Sequence, residues 1–449
     1  ALRAASRTAM PGTVENALQE LRAAIEGSQA VTDADAASIG RAAGERLWGL
    51  ARGAGGLGED EHFRPVQDTL AVITGLGHAG GSRAAEVARV FDLLAGAFGD
   101  AARGGTTVDF RRPVRRGPAD LKMLVTGFDP FESSGSGAPP PRGTWNPSGA
   151  AALALDGTTV DGPGRTRTAV EAIVLPVDFA QFAAGVVERL VPASQVDAVI
   201  TVSLDPSLAP TDPARLERFA VGVHTTGGDG VAPVPAAPGG ADAALVLPST
   251  GSLDAIARDT AQPAIPARPA AGGRPAVPGS PAVLQPMIGE GVTFRFDSAA
   301  AADAALAALG QPAQGKPEVG IPTVAVRTIL GTMHTDPQRP TGIVFTLGGV
   351  DHRAQVRSSA GGNFLSNEVS YRVLRLLAQT GGDRTSFHVH TPGTDAIPQD
   401  TSTPAARTAR ASAQRSAGDV RTRLIGTLRR VIRATAGQIA ARRAPATTP

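Results

Sequence analysis

The sequence predicts an α/β domain with helices packed on a central sheet, preceded by a helical region and followed by a basic helical tail. Three observations lead there. Between Lys122 and Pro392, short apolar runs of strand length alternate with segments of helical period. Over residues 11–104 the helical period stands alone. Between Thr225 and Gly320 the alternation lapses into a stretch rich in Pro, Ala and Gly, where proline removes ladder donors. The expected organisation is a helical region over 1–105, a basic linker over 106–121, the α/β domain over 122–392 with an insertion at 226–320, and a tail over 393–449.

Each element has a local reason. Leu18, Leu21 and Ile25 share one face of a first helix that Gly27 ends; Asp33–Leu50, Asp60–Leu76 and Ser82–Phe98 read likewise. The arginine- and proline-rich run Phe110–Pro118 reads as a solvated linker, with a nucleic-acid tether as the alternative. Met123–Gly127 is a buried strand, and Asn146-Pro147-Ser148 starts an alanine-rich helix. Ala169–Val177, Ala198–Val202, Phe219–Val223, Gly342–Leu347 and Phe387–His390 read as strands, and Phe179–Leu190 as helix. Gly361 and Gly362 allow a sharp turn, Asn363 is the expected N-cap, and Val369, Val373, Leu374 and Leu377 supply the apolar face of the helix that follows. Residues 393–416 read as a loose stretch, and Asp419–Ala441 as a basic amphipathic helix packed on the body.

Composition narrows the chemistry. With no cysteine among 449 residues, disulfides, thiolate catalysis and Cys-ligated zinc are excluded for this sequence. A net charge of +2 creates no strong field for nucleic acid, and no apolar run reaches the length of a membrane span. Neither nucleic acid nor membrane is an expected partner. The start at Ala1 and the Pro/Ala-rich loops lean towards a secreted protein freed of its signal peptide, with the cytoplasm as the alternative.

The candidate chemistry rests on three residues. Ser366 falls in the first turn of its helix, where unpaired N–H groups and the helix dipole favour a developing anion. His390 ends a strand just before Thr391-Pro392, and Glu217 begins another. A hydroxyl, an imidazole and a carboxylate make a nucleophile, a base and an orienting group. Singly, each has a plainer explanation: a polar first-turn serine, a satisfied core histidine, a surface partner for Arg218. His388 and His390 share a strand face, a spacing also found in metal sites, but no motif joins them to further ligands, so neither metal nor cofactor is expected.

The ordered motifs Leu124–Phe131 (Leu-Val-Thr-Gly-Phe-Asp-Pro-Phe), Asn146-Pro147-Ser148, Leu175-Pro176-Val177, Glu217–Val221, Ser359–Tyr371 and His390-Thr391-Pro392 resemble those of the pyroglutamyl peptidase I (pyrrolidone-carboxylate peptidase) family over about 121–227 and 320–392. The resemblance implies a three-layer α/β/α sandwich around a mixed central sheet, with the helical region added in front. It also implies a Cys-His-Glu hydrolase that removes N-terminal pyroglutamate from a peptide or small amide. Ser366 takes the cysteine's place, with His390 and Glu217 as base and acid; Phe128 and Phe131 would wall the lactam ring, and Asn146 would lie near that pocket. A non-catalytic binding or structural module on the same fold is the alternative.

Overall fold

The computed structural model describes residues 11–27, 31–53, 59–81, 83–111, 119–131, 146–227, 230–235, 244–260, 287–289, 292–309, 323–326, 333–336, 338–347, 349–359, 362–393 and 402–444. Helices α1 (Pro11–Glu26), α2 (Asp33–Gly53), α3 (Glu59–Gly77) and α4 (Ala84–Ala102) come first. On α4 the apolar stripe Val87, Val90, Phe91, Leu94 and Phe98 is buried, and Leu18, Ile25, Val66 and Ile73 from α1 and α3 pack onto it. Gly40 and Gly44 let α2 approach the α4 backbone at Leu94 and Phe98, closer than any Cβ would permit.

This helical region docks onto the α/β domain through buried polar contacts. Trp48 Nε1 donates to Asp156 Oδ2 at 3.0 Å, Arg52 pairs with the same oxygen at 3.1 Å, and Ala172 N donates to Asp156 Oδ1 at 2.8 Å. Val174 N donates to Arg103 O at 2.9 Å. A buried carboxylate with three partners is satisfied, so the seam carries no unpaired acceptor at Asp156.

The main sheet is mixed. Its elements are β1 (Leu121–Phe128), α5 (Pro147–Leu155), β2 (Thr158–Asp161), β3 (Arg167–Leu175), α6 (Phe179–Ala183), α7 (Val186–Leu190), β4 (Ala198–Asp205) and β5 (Arg215–Glu217). Strands β6 (Phe219–Val221), β7 (Val223–Gly227), β8 (Gly230–Pro233) and β9 (Val246–Pro248) follow, then α8 (Leu253–Thr260) and β10 (Met287–Gly289). Later come β11 (Val292–Arg295), α9 (Ala299–Leu309), β12 (Thr323–Val326), β13 (Met333–Thr335), β14 (Gly342–Leu347), β15 (Val350–Ser359), α10 (Leu365–Thr380), β16 (Thr385–Pro392) and α11 (Pro404–Arg443). Among the described residues the sheet runs β10-β5-β16-β4-β1-β3-β2. The central strands β3, β1, β4 and β16 are parallel, while β2 and β5 are antiparallel to their inner neighbours.

Side-chain alternation along these strands creates two cores. Met123, Val125, Val170, Val174, Ile200 and Phe387 face α5, α8 and α11, from which Ile256, Leu424, Leu428, Val431 and Ile439 pack inward. Leu124, Ile173, Leu175 and Val199 face the other way, onto Phe182, Val187, Leu365, Val369, Val373 and Leu377 of α6, α7 and α10. Helices therefore cover both faces, and the domain is a three-layer α/β/α sandwich with a helical region in front.

Several elements differ from the sequence reading. The stretch expected as an insertion at 226–320 contributes β9, α8 and β10 to the body, although 236–243, 261–286 and 310–322 lie outside the described residues. Strand β14 belongs to a separate antiparallel sheet, β12-β11-β15-β14-β13, packed around Phe294, Phe296, Ile343 and Val356. The C-terminal helix starts at Pro404 rather than Asp419, because Thr403 caps it by accepting from Ala406 N at 3.0 Å. Asn363 is not the cap of α10: Phe364 holds that position without a side-chain cap bond, and Gly362 turns the chain at φ +89°. Gly361 and the arginine-rich run 112–118 lie outside the described residues.

Candidate active site

Chain connectivity brings Ser366 and His390 to one end of the sheet. The connection 381–384 joins the end of α10 to the start of β16, so the helix runs antiparallel to the strand beside it. The first turn of α10 thereby returns to the carboxyl end of β16, where ligand crevices form in open α/β sheets. Phe387 and Val389 point into the core under α11, which leaves His388 and His390 on the face covered by α10.

Glu217 meets His390 across the antiparallel β5–β16 pair. His390 Nδ1 lies 3.0 Å from Glu217 Oε1, and both side chains are 3% exposed, so the contact is sheltered from competing water. In a neutral His390, a carboxylate at Nδ1 places the ring proton on that nitrogen and leaves Nε2 with its lone pair. Arg215 Nε donates to the same Oε1 at 2.8 Å and also pairs with Asp205. Glu217 Oε2 is buried without a hydrogen-bond partner among the described residues. Ser366 is half-buried in the first turn, and no hydrogen bond joins it to His390 among the described residues.

Electrostatics around the pair involve residues the sequence reading did not single out as a group. Burial holds the His388 imidazole well below its ordinary pKa, and the charges of His390 and Arg215 push the same way. The ring stays neutral, with Nδ1 2.7 Å from Thr201 Oγ1 and Nε2 2.7 Å from Ser203 Oγ. Burial raises the Asp205 carboxyl, but hydrogen bonds from Ser207 and the charges of Arg215 and His390 outweigh it and leave the pKa lowered. The one local signal for this network was hydroxyls at alternate positions, Thr201 and Ser203, inside an otherwise apolar strand.

The remaining site residues surround the end of β1. Phe128 is buried and stacks on Phe182, ring centres 6.1 Å apart and planes 13° from parallel. Phe131 is half-buried. Asn146 is committed structurally: Oδ1 accepts from Ser148 N and Oγ, and Nδ2 donates to Asp129 O at 2.9 Å. The loop 132–145 between Phe131 and Asn146 lies outside the described residues.

Two further features bear on what the chain can bind. Among the described residues no group of three or more His, Asp or Glu side chains is arranged to hold a metal ion. No helix among them is long and apolar enough to cross a membrane.

Comparison with solved structures finds pyroglutamyl peptidases at low similarity. The pyrrolidone carboxyl peptidase from Thermococcus litoralis is 15% identical, with a TM-score of 0.36, and the match covers 73% of this chain and 99% of that one. For the pyroglutamyl peptidase I of Bacillus amyloliquefaciens the identity is 15% and the TM-score 0.31, over 68% and 97% of the two chains. A pyrrolidone carboxyl peptidase structure from Pyrococcus furiosus is 19% identical, with a TM-score of 0.29, over 68% and 100%. Comparison with curated proteins finds no match. A family model described as the C-terminal domain of PA0049 matches residues 122–267, a segment that contains Phe128, Phe131, Asn146 and Glu217 and stops before Ser366 and His390.

Proposed function

We propose that the chain is a hydrolase acting on an N-terminal pyroglutamyl or related acyl group of a peptide or small amide, through Ser366, His390 and Glu217. The observation that carries this reading is the buried 3.0 Å contact between His390 Nδ1 and Glu217 Oε1 at the sheet end to which the first turn of α10 returns. Ser366 Oγ attacks the acyl carbon and passes its proton to His390 Nε2. Glu217 keeps the imidazole in that tautomer and stabilises its charged form. Backbone N–H groups at the start of α10 receive the oxyanion, an effect worth roughly 2.7–4 kcal/mol per donor elsewhere. Collapse expels the amine, which takes the proton from His390, and water then hydrolyses the acyl ester by the same route in reverse. Phe128 and Phe131 supply apolar surface for a flat, neutral ring.

The test uses the full chain and a pyroglutamyl amide of a reporter amine. The unaltered chain releases the amine, Ser366→Ala abolishes release, and Ser366→Cys retains or increases it. Background rates from both the unaltered chain and Ser366→Cys overturn the reading. One observation favours a second reading, a module that binds a lactam without cleaving it: Ser366 makes no hydrogen bond to His390 among the described residues. That module would bind pyroglutamamide and release no amine.

A further inference from the structure

The turn after β1 is held from two directions, and one of them is the N-terminal helical region. From within the domain, Asp129 N donates to Leu175 O at 3.0 Å, Phe128 N to Ser148 Oγ at 3.0 Å, and Asn146 Nδ2 to Asp129 O at 2.9 Å. From the helices, Arg103 Nε and Nη2 both donate to Asp129 Oδ2, at 3.0 and 2.6 Å. Gln67 Nε2 of α3 donates to Pro130 O at 3.1 Å.

Arg103 is itself fixed. It follows α4 as its C-cap, its Nη1 donates to Gly99 O, and its carbonyl accepts from Val174 N of β3. Its side chain is 5% exposed and that of Asp129 3%. Two charges taken this far out of water lose hydration that a single ion pair barely offsets, so the pair is a poor device for stability alone. Asp129 Oδ1 also remains buried without a partner among the described residues. The arrangement gains geometric definition instead: a planar guanidinium fork sets the direction of the turn that carries Phe128 and Phe131.

We propose that the N-terminal helices are part of the acyl-binding site, with Arg103 and Gln67 as positioning residues that hold the Phe128–Phe131 turn against which the substrate ring rests. This rests on the function proposed above, because it assigns the turn to substrate. Neither residue touches the reacting atoms; both act through Asp129 and Pro130. Displacing a binding wall by a fraction of an ångström weakens substrate binding more than it alters the chemistry at Ser366.

The experiment compares the full chain with Arg103→Lys, which keeps the charge but loses the fork, and Gln67→Ala, which removes one contact to a backbone carbonyl. Pyroglutamamide binding is measured by calorimetry, reporter release by initial rates, and hydrogen exchange by mass spectrometry on peptides spanning 124–131 and 198–205. Each variant is expected to raise Kd and KM by about tenfold with kcat within about twofold, and to speed exchange in 124–131 but not in 198–205. If the unaltered chain binds pyroglutamamide and neither variant weakens it, the positioning role is overturned while the site assignment stands. A uniform rise in exchange, 198–205 included, overturns it also, since that marks general loosening. If the unaltered chain binds no pyroglutamamide, the site assignment falls and the positioning role falls with it.

Discussion

The imidazole of His388 stands edge-on to that of His390, ring centres 4.6 Å apart and planes at 76°. His388 is buried, and both its nitrogens are taken by hydroxyls of β4. A base whose pKa is lowered in the folded state stays neutral there while the unfolded chain takes up a proton below about 6.5. Stability is therefore complete above that pH and is lost as pH falls towards the folded value. The urea midpoint of the unaltered chain should drop between pH 7.5 and 5.5, and the drop should shrink in His388→Asn. Equal drops in both would show that other groups control the acid limb.

Glu217→Gln keeps the shape of the side chain but removes the carboxylate charge 3.0 Å from His390 Nδ1. Under the proposed mechanism kcat for a pyroglutamyl reporter should fall by roughly 10³–10⁴-fold with KM little changed. Initial rates over a range of substrate concentrations check this. An unaltered kcat would remove Glu217 from the reaction.

Gly44→Ala tests the helix crossing in front of the domain. A Cβ there would sit 2.5 Å from Phe98 O and 2.6 Å from Ala102 N, both backbone atoms that cannot swing away. The substitution should cost about 1–3 kcal/mol in urea unfolding. Gly49→Ala, in the same helix but with nothing within 4 Å, should instead gain about 0.5–1 kcal/mol from helix propensity.

Asn367 ties the start of α10 to β6 and β7. Its Oδ1 accepts from Val221 N at 2.8 Å, and Nδ2 donates to Val221 O and Val223 O at 2.7 and 3.1 Å. Asn367→Ala leaves these buried backbone groups unpaired and should cost about 2–4 kcal/mol. A urea titration settles it, and a loss below about 1 kcal/mol would mean that the seam is held by packing.

The layered core was legible because its strands are buried on both faces. Met123–Gly127 and Ala198–Val202 are near-continuous apolar runs, and such runs advertise themselves. Strand β15 does not: its sequence Val-Asp-His-Arg-Ala-Gln-Val-Arg-Ser-Ser is polar at most positions, since one face of that sheet looks outward. The first turns of α11 were missed because Ala, Arg and Ser there bury little apolar surface; the N-cap and first-position pair Thr403-Pro404 was the available signal. Ser366, His390 and Glu217 were singled out by residue type and by resemblance. Local spacing says nothing about a contact across 173 positions, and equally nothing about Arg103 and Asp129, 26 apart in different layers.

Helix α11 lays Leu424, Leu428, Val431, Ile432 and Ile439 over the same strand face that β1, β3 and β4 present. The last of those strands, β4, ends at Asp205, and the helix that shields them starts only at Pro404. During translation the part of that face not covered by α5 and α8 stays open, and the nascent chain must carry an apolar surface until α11 emerges. Synthesis of this protein thus has a window of exposure in which chaperones, or neighbouring copies, compete with α11 for the same ground.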